Sequence, residues 1–196
     1  MNKKSKIILA LDTNNLKKIK RIISLISKDI YAVKVGYQFY FNFGSEGIKI
    51  IQRYKLKIFF DFKLHDIPNT TLMGIKQIMK YKPDMLTLHI SGGKNMLSLA
   101  KSKSKKIKLI GVSVLTSLDN KNMKSIYNRK NIEILIKDMV KLALKAKISG
   151  IVCSPKEIKL VKKISKNKLI IITPGIRIDT GKIKNDDQKR TLTPKK

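Results

Sequence analysis

The chain has 196 residues and a formal net charge of +31, from 44 lysines and arginines against 13 acidic residues, and 42% of its residues are hydrophobic. This length and apolar content suit one globular domain with a sizeable core and exclude a disordered chain. No apolar run approaches the roughly 20 residues of a membrane-spanning helix. The single cysteine, Cys153, excludes an internal disulfide and a cysteine metal cluster.

The positive charge does not indicate a nucleic-acid partner. Only five of the basic residues are arginines, and the lysines are spread over every segment. Nucleic-acid sites concentrate arginine and exposed aromatic residues, which this chain does not do. Such a field would instead attract a small phosphorylated substrate. The apolar stretch 7–11, which ends at Asp12, is too short for a secretion signal, so we expect a cytoplasmic protein.

Seven apolar runs alternate with amphipathic stretches along the chain. The predicted strands are 6–11, 31–35, 57–62, 85–89, 109–115, 150–153 and 169–173, and the predicted helices lie near 15–27, 45–54, 70–81, 94–101, 119–128, 131–147 and 155–166. Asn69-Thr70-Thr71 and Ser154-Pro155 are typical helix starts. This regular alternation predicts an α/β fold in which helices cover parallel strands.

Polar residues at the strand ends favour a closed barrel over an open sheet. An open sheet gathers its functional residues at one switch point, whereas a barrel takes them from many strands at its C-terminal face. Here the polar residues follow nearly every run: Asp12, Lys34, Asp61, Lys63, His89, Thr116, Ser154 and Thr173. We therefore predict a (β/α)8 TIM barrel.

Strand alternation predicts that four of these charges meet. Asp61 and Lys63 share one face of their strand, and Phe60 lies on the opposite, apolar face. By the same period of two, Lys34 and Asp12 point inward from the two preceding strands. The sequence therefore predicts that these four side chains converge in one barrel mouth.

A set of motifs carries a resemblance to a known family. They are ILALD (8–12), KVG (34–36), FDFKLHDIPNT (60–70), LTLHISGG (86–93), VSVLTSL (112–118), GIVCSP (150–155), ITPGIR (172–177) and DDQKRTLTP (186–194). Over residues 6–194 the chain resembles the bacterial type of orotidine 5′-phosphate decarboxylase. The resemblance implies a cofactor-free homodimer that converts orotidine 5′-monophosphate to UMP and CO2 in pyrimidine biosynthesis.

The resemblance also implies roles for individual residues. Lys63 would donate the proton, Asp61 would lie beside the departing carboxylate, and both would alternate in charge with Lys34 and with Asp66 from the partner subunit. The implied substrate-binding residues are Asp12 at the ribose, Ile67, Thr70 near the ribose or phosphate, Thr116 at the pyrimidine, and Arg177 and Gln188 at the phosphate. No metal is expected, and two lone histidines, His65 and His89, make a poor metal site.

The sequence contains seven strand–helix starts and no eighth, and in this it departs from the family. The family continues with an eighth strand and a Gly-Arg pair that completes the phosphate site, so residues 1–196 are expected to form one barrel domain that is incomplete at its C-terminus. A fragment, a frameshifted gene and a complementing second chain are all open explanations. Two other functions also stay open: a magnesium-dependent sugar-phosphate enzyme of the same superfamily, and an inactive remnant or basic binding protein.

Overall fold

The computed structural model describes residues 6–118, 125–128 and 131–176. Seven parallel strands form one sheet in chain order, with each strand paired to the next. They are β1 (Ile8–Ala10), β2 (Ala32–Val35), β3 (Lys57–Leu64), β4 (Met85–His89), β5 (Lys108–Val112), β6 (Gly150–Val152) and β7 (Ile170–Ile172). All seven predicted strands are confirmed. The fifth ends three residues earlier than predicted, because the chain leaves the sheet after Val112.

Helices connect most of these strands and cover the outer face of the sheet. They are α1 (Leu16–Ile26), α2 (Tyr37–Gln52), α3 (Pro68–Met79), α4 (Gly93–Lys103), α5 (Ile132–Lys145) and α6 (Ile158–Ser165). Short 3-10 turns, Ile90–Gly92 and Pro155–Glu157, precede α4 and α6. The predicted helix at 119–128 lies largely outside the described residues.

Two predicted helix starts were wrong. Helix α2 begins at Tyr37, eight residues before the predicted position, and it is interrupted at Gly44, whose φ of 48° breaks the helical path. Because of that glycine and the aromatic run before it, the apolar residues of the first two turns do not show helical spacing in the sequence. Helix α3 begins at Pro68 and has no side-chain cap, so Thr70 lies inside its first turn and does not cap it. Proline suits this first position because the missing N–H has no helical partner there.

The sheet curls into a partial barrel of seven strands, and in the part of the chain that the structure describes its interior is filled by side chains from the strands. One apolar cluster contains Ala32, Phe59, Met85 and Ile110, with Ile8, Tyr31, Val152 and Ile172 packed against them. These residues come from, or directly adjoin, all seven strands, and none of the helices named above contributes to the cluster. Phe59 and Met85 are nevertheless buried. In a flat sheet that face would need a covering layer, so here the strands must cover one another.

A second, larger apolar cluster lies between the strands and the helices. It includes Val33 and Val35 of β2, Phe60 of β3, and Ile19 and Ile23 of α1. Thus alternate residues of each strand serve the two cores, as strand alternation requires. In the ranges that the structure describes, no helix combines the length and apolar character needed to cross a membrane.

Candidate active site

Four charged side chains meet at the carboxyl ends of the first three strands. The Lys34 ammonium lies 3.3 Å from Asp12 Oδ2 and 3.5 Å from Asp61 Oδ2. The Lys63 ammonium lies 3.0 Å from the same Asp61 Oδ2. The structure therefore brings these four residues together in the order Asp12, Lys34, Asp61, Lys63, with signs that alternate. Asp61 is the most enclosed of the four, since its side chain is only 13% exposed.

Strand β3 is irregular where it carries this array. Phe60 pairs with Leu86, and the next pair along is Leu64 with Leu88. Three residues of β3 therefore face the single residue Thr87 of β4. This is a bulge with two extra residues, a feature that re-aims side chains near functional sites.

Lys63 has an unusual backbone conformation for a strand residue, with φ at 46°. The other non-glycine residues with positive φ in the described ranges follow helix ends, where a left-handed residue is common: Lys55, Lys82, Asn128, Lys147, Lys166 and Asn167. Inside a strand such a conformation is strained by about 1–3 kcal/mol and persists only when neighbours enforce it. Strain of this kind clusters at functional sites.

Thr87 connects the backbone of the bulge to the array. Its hydroxyl donates to Asp61 Oδ1 at 3.0 Å and accepts the Lys63 backbone N–H at 2.8 Å. Thr87 is completely buried. The sequence does not single out this residue, because a threonine in a buried strand carries no chemical signal of its own. The one feature of the sequence that could have indicated Thr87 is its position, two residues before His89 at the end of the strand.

A cleft of about 540 Å³ adjoins the array. Its walls include Lys63, Asp66 and Thr70, together with Tyr37 and His89. The Tyr37 hydroxyl donates to the Phe62 carbonyl oxygen. Burial, and next the charge of Asp61, raise the pKa of Tyr37 above its ordinary value, so it stays neutral and a donor at physiological pH.

Asp66 does not join the array within its own chain. Its Oδ1 accepts the Ile67 backbone N–H at 2.6 Å, and the ion pairs of the described residues do not include it. Both Asp66 and Ile67 are exposed at the edge of the cleft. Their position leaves them available to a neighbouring molecule.

The remaining predicted substrate ligands are less well defined by the structure. Thr70 lines the cleft in the first turn of α3. Thr116 is half-buried in the segment after β5. Arg177 and Gln188, the predicted phosphate ligands, lie outside the described residues.

The two histidines form a pair beside Lys63, with ring centroids 5.1 Å apart. His89 Nδ1 is buried and has no hydrogen-bond partner among the described residues. Burial lowers the His89 pKa to about 4, and the nearby His65 and Lys63 act in the same direction, whereas Asp61 opposes them. His89 is therefore neutral at pH 7.

Comparison with known proteins points to one family. The family model described as "Orotidine 5'-phosphate decarboxylase / HUMPS family" matches residues 5–196. A curated orotidine 5′-phosphate decarboxylase of Wolbachia pipientis subsp. Culex pipiens is 40% identical over 191 residues, which covers 96% of this chain and 83% of the relative. A relative of the same name in Malacoplasma penetrans is 36% identical and covers 96% of this chain and 83% of its own length.

Solved structures give the same result for the fold. An orotidine 5′-phosphate decarboxylase from Lactobacillus acidophilus aligns with a TM-score of 0.80 at 31% identity, covering 88% of this chain and 81% of that one. An orotidine 5′-monophosphate decarboxylase from Methanocaldococcus jannaschii, complexed with the inhibitor BMP, aligns with a TM-score of 0.74 at 28% identity, covering 91% and 81%.

Proposed function

Because this chain belongs to the orotidine 5′-phosphate decarboxylase / HUMPS family, we propose that its charge array performs the decarboxylation, with Lys63 as the proton donor. The chain is a carboxy-lyase that converts orotidine 5′-monophosphate to UMP and CO2, a step of pyrimidine biosynthesis. We also propose that the enzyme acts in the cytoplasm.

The reaction leaves an electron pair on a carbon that cannot delocalise it. When the bond between C6 and the carboxylate breaks, CO2 departs and both bonding electrons stay on C6, in the plane of the pyrimidine ring. The Lys63 ammonium stabilises this carbanion and then transfers a proton to it, so a new C–H bond forms and a neutral amine remains. Solvent returns the proton to the amine. Only the interaction that strengthens toward the carbanion accelerates the step.

The observation that carries the proposal is the shared oxygen of Asp61. Its Oδ2 contacts the ammonium groups of both Lys63, at 3.0 Å, and Lys34, at 3.5 Å. Asp61 thereby fixes Lys63 and also sets a negative charge beside the position that we propose for the substrate carboxylate. Opposite unit charges about 4 Å apart interact by about 4 kcal/mol at an effective dielectric of 20, and several such interactions suit the ~8–23 kcal/mol that enzymes remove from barriers.

The position of Lys34 disfavours the magnesium-dependent alternative. Its ammonium lies between the carboxylates of Asp12 and Asp61, within 3.5 Å of both. A metal ion at the ends of the early strands would compete with this cation for the same two carboxylates. The carboxylates that could bind a metal ion are therefore already neutralised by lysines of the chain itself.

We also propose that the site is completed in a homodimer. We infer that four side chains of α2 and the start of α3 form one apolar patch beside the cleft: Tyr37, Phe41, Ile67 and Met73 are each more than half exposed, with Phe41 at 79%. The Tyr37 and Phe41 rings stack with centroids 5.8 Å apart. Exposed apolar patches of this kind mark interaction surfaces. A second copy docked here would bring its Asp66 toward Lys63, because Asp66 lies directly beside Ile67 of the patch.

Turnover of orotidine 5′-monophosphate tests the catalytic proposal. The chain should release CO2 and UMP, and Lys63→Ala should lower kcat by at least ~10³-fold, since it removes both the charge and the proton. Lys49→Ala is the matched control, because Lys49 pairs with Glu46 on the surface of α2. Equal activity of the two variants would refute the role of Lys63. Loss of activity on exhaustive chelation would restore the metal alternative.

Mixing two inactive variants tests the shared site. Lys63→Ala and Asp66→Asn homodimers should each be weak, whereas exchange of subunits creates one intact site in each mixed dimer. With random exchange of equal amounts, about half of the dimers are mixed and each has one intact site out of two. About a quarter of the sites should therefore be active, relative to the wild-type dimer. Failure to regain activity, with exchange verified by mass spectrometry, would show that Asp66 does not act across the interface.

A further inference from the structure

The hydroxyl of Thr87 links the two residues at the centre of the proposed mechanism. We propose that Thr87 is a positioning residue, which holds the Asp61 carboxylate and the Lys63 backbone in their productive arrangement through this one hydroxyl. The inference rests on the proposed roles of Asp61 and Lys63. Thr87 is completely buried and is not among the residues that line the cleft, so its effect would pass through these two neighbours.

The hydroxyl repairs the hydrogen bonding of an irregular strand. Thr87 is the only residue of β4 opposite the three bulged residues of β3, between the pairs Phe60–Leu86 and Leu64–Leu88. A bulge removes ladder hydrogen bonds, and a buried N–H without a partner is costly. The Lys63 N–H instead reaches Thr87 Oγ1 at 2.8 Å. This bond helps to enforce the left-handed backbone of Lys63, and hence the direction of its side chain.

The same hydroxyl fixes how the Asp61 carboxylate is oriented toward the lysines. A hydroxyl has one proton to donate, and here it goes to Asp61 Oδ1 at 3.0 Å. Both ammonium groups contact the other oxygen, Oδ2. Rotation of the carboxylate would break the Thr87 bond, so the bond keeps Oδ2 between the two lysines. The three groups form one directed chain, from the Lys63 N–H through the Thr87 hydroxyl to the Asp61 carboxylate.

A purely structural threonine would behave differently from a positioning one. If its hydroxyl served only to satisfy a buried N–H, removing it would lower stability and leave the folded enzyme equally active. If it positions the array, removing it lowers kcat in the molecules that remain folded. A misplacement near 1 Å can cost on the order of 10²-fold in rate, so the two roles are separable by kinetics.

Two variants of Thr87 provide the test. Thr87→Val keeps the branched shape and removes the hydroxyl, whereas Thr87→Ser keeps the hydroxyl and removes a methyl group. We expect Thr87→Val to lower kcat about 10- to 100-fold with KM changed less than about threefold, because the lost contact matters most in the transition state. Thr87→Ser should stay within about threefold of the wild-type kcat.

A matched control comes from a second buried hydroxyl at the opposite end of the barrel. Ser104 is completely buried and donates to the Ala100 carbonyl at the end of α4. Ser104→Ala should lower the melting temperature and leave kcat unchanged. Wild-type kcat in folded Thr87→Val, an equal loss in Thr87→Ser, or a rise in KM alone would each overturn the inference.

Crystal structures of the variants test the same proposal without a measurement of turnover, and they do not depend on one variant alone. In crystal structures of Thr87→Val, or of Thr87→Ala if the valine variant does not fold, Asp61 Oδ2 should no longer contact both ammonium groups. An unchanged array would refute the positioning role. An inactive wild type whose array nevertheless responds to Thr87 would refute the proposed catalysis alone.

Discussion

The two halves of the barrel mouth use their polar residues in different ways. At the ends of β1, β2 and β3, Asp12, Lys34, Asp61 and Lys63 contact one another through side-chain atoms. At the ends of β5 and β6, hydroxyl groups bond to nearby backbone. The Ser113 hydroxyl donates to the Val152 carbonyl oxygen, and Ser154 forms a capping box with Glu157 at the start of a 3-10 turn.

This difference shows what a polar strand end can and cannot reveal. Ser154 and Asp61 both follow or end an apolar run, so the sequence pattern treats them alike. The structure separates them, because Ser154 takes part in closing the local backbone whereas Asp61 engages two cations from different positions of the sheet. We therefore expect substitutions in the charged half to change kinetics, and those in the neutral half to change stability.

Among the substitutions that test this contrast between the two halves, Asp61→Asn should have the largest effect. This change keeps the size and the ability to accept from Thr87 but removes the charge that the two lysines share. We expect kcat to fall on the order of 10²–10³-fold, comparable with the loss of one electrostatic group of an active site, about 2.7–4 kcal/mol. Steady-state kinetics with folded protein measures it.

Asp84→Asn is the control for this experiment. Asp84 Oδ2 accepts the Ile58 backbone N–H at 3.0 Å, at the other end of β3. An asparagine oxygen can still accept that bond, so kcat should stay within about threefold of wild type. If the two variants were equally impaired, the contrast between the ends of the strand would be lost.

Gly150→Ala should produce the largest stability effect in the neutral half. A Cβ at Gly150 would lie 2.5 Å from the backbone carbonyl oxygen of Ile170, which cannot rotate away. Separating β6 from β7 to make room should cost about 1–3 kcal/mol of unfolding free energy. Urea unfolding measures the loss, and kcat of the folded fraction should not change.

Gly36→Ala places the same methyl group in the charged half. There a Cβ would lie 3.3 Å from Asp12 Oδ1 and 3.6 Å from Lys34 Nζ, which are ends of side chains that can shift. We expect a smaller stability cost than for Gly150→Ala, together with an altered kcat/KM. A variant that lost stability but kept full activity would contradict the division between the halves.

The sequence predicted the strands and the array well because both depend on period two. Ala32 and Lys34 face inward and Val33 faces the helices, as alternation requires. The bulge was not predictable, since FDFKL continues the same alternation through the irregular part of β3. Its existence depends on pairing with β4, which is a tertiary property. Thr87 was missed for the same reason, because its role comes from standing opposite the bulge.

His89, at the border between the two halves, gives the smallest expected effect. It is the last residue of β4, and its buried Nδ1 has no hydrogen-bond partner in the part of the chain that the structure describes, so the folded protein resists its protonation. Burial lowers the His89 pKa to about 4 from the ordinary 6.5, with His65 and Lys63 adding to the effect. Below pH 6.5 the unfolded chain therefore binds a proton that the folded chain does not bind until about pH 4.

The sign of the stability change follows from this difference in bound protons. Stability from this source is fully present above pH 6.5 and declines as the pH falls toward 4. Between pH 7 and 4.5, His89→Gln should lose about 1 kcal/mol less unfolding free energy than wild type, a value discounted for the partial exposure of the ring. Urea unfolding at several pH values measures the two slopes. Equal slopes would show that His89 titrates normally in the folded protein, and that the positive charges of the array do not extend their influence to β4.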